Sequence, residues 1–192
     1  MKIKSNHVSF IKSATLPTQF PPSKKSEIGI VGRSNAGKSS LINLLAGKDI
    51  AKVSKKPGKT ALLNFFAFGD SFILTDMPGY GFANRSKAEI TLWKEMIENY
   101  LLLRENLTGL LLIMDSRRPW SAEEELIKSY CESRNLPFAI ILTKSDKLTY
   151  SESLKIKKEI SKDSQVDFIF LVSNLKKKGH DEIEEFIFKN WV

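Results

Sequence analysis

One octapeptide restricts the fold of this chain more than any other feature. The residues Gly-Arg-Ser-Asn-Ala-Gly-Lys-Ser at positions 32–39 follow the apolar run Glu27–Val31 and precede a helical pattern over Ser40–Leu45. They match G-x-x-x-x-G-K-[ST], in which a glycine-rich turn joins a strand to a helix and its backbone N–H groups surround phosphate oxygens. A chance glycine-rich turn is the alternative, but the complete match in this context favours a phosphate-binding loop.

Each residue type in such a loop has a chemical role. Lys38 reaches the β- and γ-phosphates of a bound nucleotide, and the Ser39 hydroxyl coordinates Mg²⁺. The predicted phosphate-binding residues are Gly32, Arg33, Ser34, Asn35, Ala36, Gly37, Lys38 and Ser39. The octapeptide therefore predicts a nucleoside triphosphate and Mg²⁺ as ligands.

Apolar runs separated by helical patterns indicate the rest of the architecture. Unbroken runs suit parallel strands covered on both faces, and a Gly69-Asp70 turn after Leu62–Phe68 is typical of a hairpin. The other predicted strands are Glu27–Val31, Phe72–Thr75, Leu110–Met114, Phe138–Leu142 and Phe168–Val172. We expect an α/β P-loop NTPase fold: a three-layer sandwich with a six-stranded, mostly parallel sheet, one antiparallel strand and helices on both faces.

Three sequence patterns predict helix starts. Ser86, Ser121 and Thr149 are each followed three positions later by Glu, which is the pattern of a capping box, and then by apolar residues at helical spacing. Together with the helix after the phosphate-binding loop and a last segment that contains Ile183 and Trp191, they predict about five helices.

The N-terminal residues 1–25 differ from the rest of the chain. Pro17, Pro21 and Pro22 prevent a regular helix there, so we expect an arm that packs on a single domain of residues 26–192. No apolar run approaches the roughly 20 residues that span a bilayer, and no signal-peptide pattern is present. A single cysteine excludes an internal disulfide and fits a reducing compartment. We expect a cytoplasmic monomer without membrane contact.

Two further motifs follow predicted strands and indicate which nucleotide is bound. Thr143-Lys144-Ser145-Asp146 offers a carboxylate that can accept hydrogen bonds from N1–H and the 2-amino group of guanine, a donor pair that adenine lacks. The Lys144 stem can lie along the base.

The second motif is Asp76-Met77-Pro78-Gly79. There, Asp76 is placed to hold Mg²⁺ through water, and the Gly79 N–H to contact the γ-phosphate.

The ordered motifs resemble a known family. Lys56–Thr60, Asp76–Gly81, Asp115–Pro119 and Thr143–Asp146 resemble the YihA/YsxC/EngB family of bacterial ribosome-biogenesis GTPases, within the TrmE-Era-EngA-EngB-septin-like P-loop GTPases. The resemblance implies that Thr60 is the switch I ligand of Mg²⁺. The loop that would touch the nucleotide consists of Gly58, Lys59, Thr60, Ala61 and Leu62. A lysine-rich loop without contact to the nucleotide is the alternative.

A final turn, Val172-Ser173-Asn174, would close over the base. Related GTPases usually carry a small pair such as Ser-Ala at this point, so Asn174 departs from the common form. Despite this departure, the resemblance implies that Ser173 and Asn174 cap the base.

The motifs supply the residues expected for nucleotide binding, but they lack one residue that is expected for GTP hydrolysis. Ras-type enzymes carry Gln after D-x-x-G to orient water, whereas this chain has Tyr80, so we expect slow hydrolysis. Some relatives hold K⁺ near the phosphates through a loop Asn, which would be Asn35 here; the alternative is that Asn35 caps a loop carbonyl. The candidate catalytic residues are Lys38, Asn35, Thr60 and Gly79.

The resemblance and the charge together predict partners. A net charge of +8 and lysine clusters suit contact with a phosphate backbone, although such clusters are often only solvated faces. The family implies the large (50S) ribosomal subunit, with its RNA and proteins, as partner.

We expect a GTP/GDP switch in 50S assembly that is required for normal growth and cell division. A non-enzymatic GTP-sensing adaptor in septation is the alternative. An ATPase or kinase conflicts with Thr143–Asp146.

Overall fold

A single sheet organises the protein. The computed structural model describes residues 7–51, 62–81 and 86–192, which contain seven strands in the order β1-β3-β4-β2-β5-β6-β7. The strands are β1 (Val8–Ala14), β2 (Ser26–Gly32), β3 (Leu63–Phe68), β4 (Phe72–Asp76), β5 (Leu107–Asp115), β6 (Phe138–Thr143) and β7 (Ile169–Leu171). Only β3 runs antiparallel to its neighbours, β1 and β4; the other adjacent pairs are parallel. The predicted mixed sheet with one antiparallel strand is therefore confirmed.

The predicted count of six strands is wrong, because the N-terminal arm contributes β1. This edge strand buries Val8 and Ala14 but exposes most of the residues between them, so it has no unbroken apolar run. A register shift between Phe10 and Lys12 further disturbs its alternation. A strand with this pattern cannot be recognised from hydrophobicity alone.

In the described ranges, five α-helices cover both faces of the sheet. They are α1 (Lys38–Ala46), α2 (Lys87–Leu103), α3 (Ala122–Ser133), α4 (Tyr150–Ser164) and α5 (His180–Asn190). One core cluster holds buried residues of α2, α3 and α4, and the other holds those of α1 and α5. This arrangement confirms the three-layer sandwich. No helix in the described ranges is long and apolar enough to cross a membrane.

Two of the three predicted capping boxes form. Ser86 with Glu89, and Thr149 with Glu152, exchange hydrogen bonds between side chain and backbone at the starts of α2 and α4. Ser121 stands before α3, but its hydroxyl donates to the Glu124 carboxylate instead of accepting from a helix N–H. The prediction of a capping box is wrong there, because Glu124 is also engaged by a residue outside the helix.

A buried carboxylate joins the arm, α2 and the sheet at the end of β2 that lies away from the octapeptide. Glu27 is fully buried and accepts from Arg104 Nε at 2.9 Å and Nη2 at 2.6 Å, and from the Tyr100 hydroxyl at 2.7 Å. Arg104 also donates to the Pro21 carbonyl at 2.9 Å. Arg104 thus ties both Glu27 of β2 and Pro21 of the arm to the C-terminal end of α2.

Candidate nucleotide-binding site

The octapeptide forms a tight turn between β2 and α1. Asn35 and Gly37 have positive φ angles of 62° and 95°, and α1 begins directly afterwards at Lys38. A Cβ at Gly32 would lie 2.5 Å from the Ile113 carbonyl oxygen, so the close approach to β5 requires glycine. The free N–H groups of the first turn of α1 and the helix dipole make this loop suited to an anion.

Side chains from the ends of β6 and β7 hold the loop backbone in place. Lys144 Nζ donates to the Asn35 carbonyl at 2.8 Å, and Asn174 Nδ2 donates to the Gly37 carbonyl at 3.1 Å. The Thr143 hydroxyl contacts the Ala36 carbonyl. The structure therefore brings the Thr143–Asp146 motif and the closing turn to the phosphate-binding loop.

The carboxylate that was predicted to read the base stands beside the closing turn. Asp146 Oδ1 accepts a hydrogen bond from the Ser173 hydroxyl at 2.6 Å, and the Ser145 N–H donates to the Val172 carbonyl at 3.1 Å. The Ser173 hydrogen bond lowers the pKa of the Asp146 carboxyl. Asp146 is thus an ionised acceptor at neutral pH. The structure places the amide of Asn174 against the loop.

An acidic residue to which the sequence motifs assign no chemical role lies next to Lys144. Asp115, at the end of β5, accepts from Lys144 Nζ at 2.9 Å and from Arg117 Nε and Nη2 at 2.9 and 2.7 Å. The Arg117 hydrogen bonds hold the pKa of the Asp115 carboxyl well below its usual range. The sequence contains a signal for Asp115, because this residue ends an apolar strand in the same way as Asp76 does.

On the phosphate side, the loop lysine contacts the carboxylate that was predicted to serve Mg²⁺. Lys38 Nζ pairs with Asp76 Oδ1, and both side chains are largely buried. Ser39 follows in the first turn of α1. Carboxylate and hydroxyl oxygens match the ligand preference of Mg²⁺, so Asp76 and Ser39 are residue types suited to hold it.

The segment after β4 lies directly against the loop. The Met77 N–H donates to the Ile30 carbonyl at 2.9 Å, and the Ser34 N–H donates to the Tyr80 carbonyl at 2.9 Å. A Cβ at Gly79 would be 3.1 Å from the Gly32 carbonyl oxygen, so a larger residue would crowd the loop backbone. Gly79 is therefore close to the place where the phosphates are expected.

Tyr80 is turned away from that place. Its ring is buried 5.9 Å from the Trp93 ring, and its hydroxyl donates to Glu124 Oε1 at 2.7 Å. Burial and the neighbouring carboxylate raise the pKa of the Tyr80 hydroxyl far above its ordinary value. The phenol thus remains a neutral donor directed at α3.

Part of the predicted site cannot be compared with the structure. Gly58, Lys59, Thr60 and Ala61 lie outside the described residues, and Leu62 is half-exposed directly before β3. The switch I contacts therefore stay predictions.

The comparisons with known proteins identify the family. A family model described as a 50S ribosome-binding GTPase matches residues 27–144. A probable GTP-binding protein EngB of Bdellovibrio bacteriovorus is 52% identical over 185 residues, which cover 96% of this chain and 92% of the relative. The chain belongs to the EngB family of GTP-binding proteins. An EngB relative of Clostridium beijerinckii is 42% identical over 192 residues and covers 98% and 96% of the two chains.

Solved structures agree with the EngB fold. The crystal structure of a probable EngB matches with a TM-score of 0.71 at 20% identity and covers 85% of this chain and 97% of the other. Era of Aquifex aeolicus, bound to GDP and aluminium fluoride, matches with a TM-score of 0.71 at 26% identity, over 88% and 58% of the chains. The α/β P-loop GTPase fold is therefore confirmed, and with it the resemblance that the motifs indicate.

Proposed function

We propose that the protein binds GTP and GDP at this site, hydrolyses GTP slowly with Mg²⁺, and acts as a nucleotide switch in assembly of the 50S ribosomal subunit. The observation that carries the proposal is the ionised Asp146, held by Ser173 and joined through its neighbour Lys144 to the phosphate-binding loop. One end of the sheet thus carries both a candidate guanine acceptor and a turn suited to an anion.

Different residues of the site contact different parts of the nucleotide. The N–H groups of Gly32–Ser39 receive the phosphates, and Lys38 exchanges its contact with Asp76 for the β- and γ-phosphates. Ser39, Thr60 and, through water, Asp76 would hold Mg²⁺, which would neutralise phosphate charge. The Gly79 N–H contacts the γ-phosphate and so distinguishes GTP from GDP.

Slow turnover follows from the position of Tyr80. Its hydroxyl donates to Glu124, so it does not orient a water molecule as Gln does in Ras-type enzymes. Asn35 belongs to the phosphate-binding loop, where its backbone has a positive φ angle of 62°, and its side-chain oxygen is the candidate ligand for K⁺.

The test of the potassium role compares GTP turnover in KCl and NaCl for the wild type and Asn35→Ala. We expect faster turnover in KCl for the wild type and equal rates in both salts for the variant. Equal rates for the wild type would exclude a role of K⁺.

The base assignment is tested by titrating fluorescent GDP, GTP and ATP against the wild type and Asp146→Asn. We expect binding of guanine nucleotides, no binding of ATP, and a shift of the variant toward xanthine nucleotides, whose 2-oxo group can pair with the amide. Asp163→Asn, on the exposed side of α4, is the matched control and should bind as the wild type does. Equal competition by ATP would contradict the assignment.

The ribosomal role is supported by the description of the family model and by exposed lysines. Lys176, Lys177 and Lys178 follow the closing turn, and the Lys176 N–H donates to Ser173 Oγ at 3.0 Å, so this basic turn is connected to the nucleotide site. Because phosphate contacts depend on salt, binding to 50S subunits should weaken at high ionic strength.

Co-sedimentation with purified 50S subunits tests this role. We expect binding with a non-hydrolysable GTP analogue, weaker binding with GDP, and loss at high salt. Replacing the three turn lysines by Ala should reduce binding more than replacing Lys155, Lys158 and Lys162 on α4. Identical sedimentation with both nucleotides and at every salt concentration would contradict the switch.

A further inference from the structure

The first turn of α3 reaches the nucleotide site through a buried carboxylate. Glu124, the third residue of α3, is only 4% exposed, and its Oε1 accepts from the Tyr80 hydroxyl at 2.7 Å. Its second oxygen accepts from the Ser121 hydroxyl. Both carboxylate oxygens are therefore engaged, and the N-terminal end of the helix is favourable for their charge.

The residue that Glu124 holds is also joined to the phosphate-binding loop through its backbone. The Tyr80 N–H donates to the Gly32 carbonyl at 3.4 Å, and its carbonyl accepts from the Ser34 N–H at 2.9 Å. Tyr80 thus connects the loop with α3, through the main chain on one side and the phenol on the other.

One more contact holds the same segment, and another joins the phosphate-binding loop to α3. Trp93 Nε1 of α2 donates to the Pro78 carbonyl at 2.9 Å, and Arg33 Nη1 of the loop pairs with Glu123 Oε2 at 2.7 Å. Gly79 lies between Pro78 and Tyr80, so the residues on both sides of its N–H are fixed by side chains of α2 and α3.

We propose that Glu124 is a positioning residue for GTP recognition, which fixes the Gly79 N–H for the γ-phosphate by holding the Tyr80 hydroxyl. The inference rests on the proposed function, because Gly79 is the expected contact of the phosphate that GTP has and GDP lacks. Without the hydrogen bond from the Tyr80 hydroxyl, the segment Met77–Tyr80 must become ordered when GTP binds. The entropy lost in this ordering costs free energy, and it therefore lowers the affinity for GTP but not for GDP. Binding of GDP does not use Gly79 and is unchanged.

The variants separate positioning from general stability. Tyr80→Phe removes the hydroxyl but keeps the buried ring, and Glu124→Leu removes both acceptors at similar size. Glu124→Gln restores one acceptor for the Tyr80 hydroxyl, so it should rescue the function. Glu132→Gln and Tyr130→Phe, further along α3, are the matched controls.

The experiment measures the affinities of GDP and a non-hydrolysable GTP analogue for each variant. Tyr80→Phe and Glu124→Leu should weaken the GTP analogue by roughly three- to tenfold, which is the usual range for one lost hydrogen bond, and leave GDP within about twofold. Glu124→Gln and the controls should keep the wild-type ratio of the two affinities. The double variant Tyr80→Phe/Glu124→Leu should lose no more affinity for the GTP analogue than the single variant with the larger loss, because both substitutions remove the same contact.

The outcomes also distinguish this inference from the function on which it rests. If the wild type binds neither guanine nucleotide, the proposed function fails. If the wild type binds both and Tyr80→Phe keeps the wild-type affinity ratio, or loses GDP and GTP analogue equally, the positioning role of Glu124 is overturned. GDP binding reports that a variant is folded, and Tyr80→Phe tests the inference even if Glu124→Leu does not fold.

Discussion

Asp115 is a residue that affects the site through a neighbour. Its carboxylate accepts from Arg117 and Lys144, while Lys144 also donates to the Asn35 carbonyl of the phosphate-binding loop. Lys144 is thus held between β5 and the loop. A charged acceptor that is shared by two cations restricts the Lys144 side chain more than a neutral one does.

Asp115 should make the stability of the protein depend on pH. Its folded pKa is lowered by Arg117, so its contribution is complete above the unfolded value of about 4 and is lost as the pH falls below it. We expect the difference in unfolding free energy between the wild type and Asp115→Asn to be constant near neutral pH and to shrink below about pH 4. Urea unfolding at a series of pH values measures it. A difference that does not change between pH 7 and pH 3 would contradict the ion pair.

The Glu27–Arg104 pair should be costly to break from one side. Arg104→Met leaves a fully buried carboxylate without its cation, and we expect a loss of about 3–5 kcal/mol in the free energy of unfolding. Replacing Glu27 by Gln in the same chain should recover part of the loss, because the buried charge is then absent. Lys155→Met, on the exposed side of α4, is the control. Urea denaturation with the single and double variants decides between a charge effect and lost packing.

At the level of elements, patterns that depend on local sequence were predictable. The buried strands β2, β4, β5 and β6 have unbroken apolar runs, and two capping boxes form as predicted. Strand β1 was not predicted, because it depends on its pairing with β3. Helix α3 begins after Ser121 as predicted, but the expected capping box does not form, because Glu124 is also bound by the distant Tyr80. The division into an arm and a domain at residue 25 stays a prediction.

Removing β1 should expose a strand that is otherwise covered. Phe10 packs its ring 5.7 Å from Phe66, and Ser13 Oγ donates to Asn64 Oδ1 at 2.7 Å. Deletion of residues 1–15 leaves the edge of β3 unpaired, so we expect lower stability and concentration-dependent association. Size-exclusion chromatography and urea unfolding measure both effects, with a deletion of residues 1–6 as the control that keeps β1. A monomer of unchanged stability after the longer deletion would contradict a structural role of β1.

For the whole molecule, the candidate site is assembled from loops that are far apart in sequence. Single motifs could be predicted because phosphate binding needs a fixed order of residue types over 32–39. The contacts of Asp115 and Glu124 could not, since they arise only when the ends of the strands and the first turn of α3 meet. The roles of the individual site residues stay predictions until nucleotide binding is measured.

A site built from the ends of several strands should link nucleotide binding to global unfolding. At a GDP concentration 100 times its Kd, we expect the free energy of unfolding to rise by about 2.7 kcal/mol, because only the folded chain assembles the site. ADP at the same concentration should add nothing, and Asp146→Asn should lose the effect of GDP. Urea unfolding with and without each nucleotide is the measurement. An equal effect of ADP and GDP would indicate phosphate binding without base selection.

The sheet order also limits how another chain can join this one through its backbone. One edge is β1, where the register shift between Phe10 and Lys12 interrupts the row of main-chain groups, and the other edge is β7, which has three residues. Within the described part of the chain, a partner strand would find only a short ladder at either edge of the sheet. Any macromolecular partner of this chain would then be recognised mainly through side chains and surface loops. Grafting those loops onto another P-loop scaffold should therefore transfer partner binding, whereas grafting the edge strands should not.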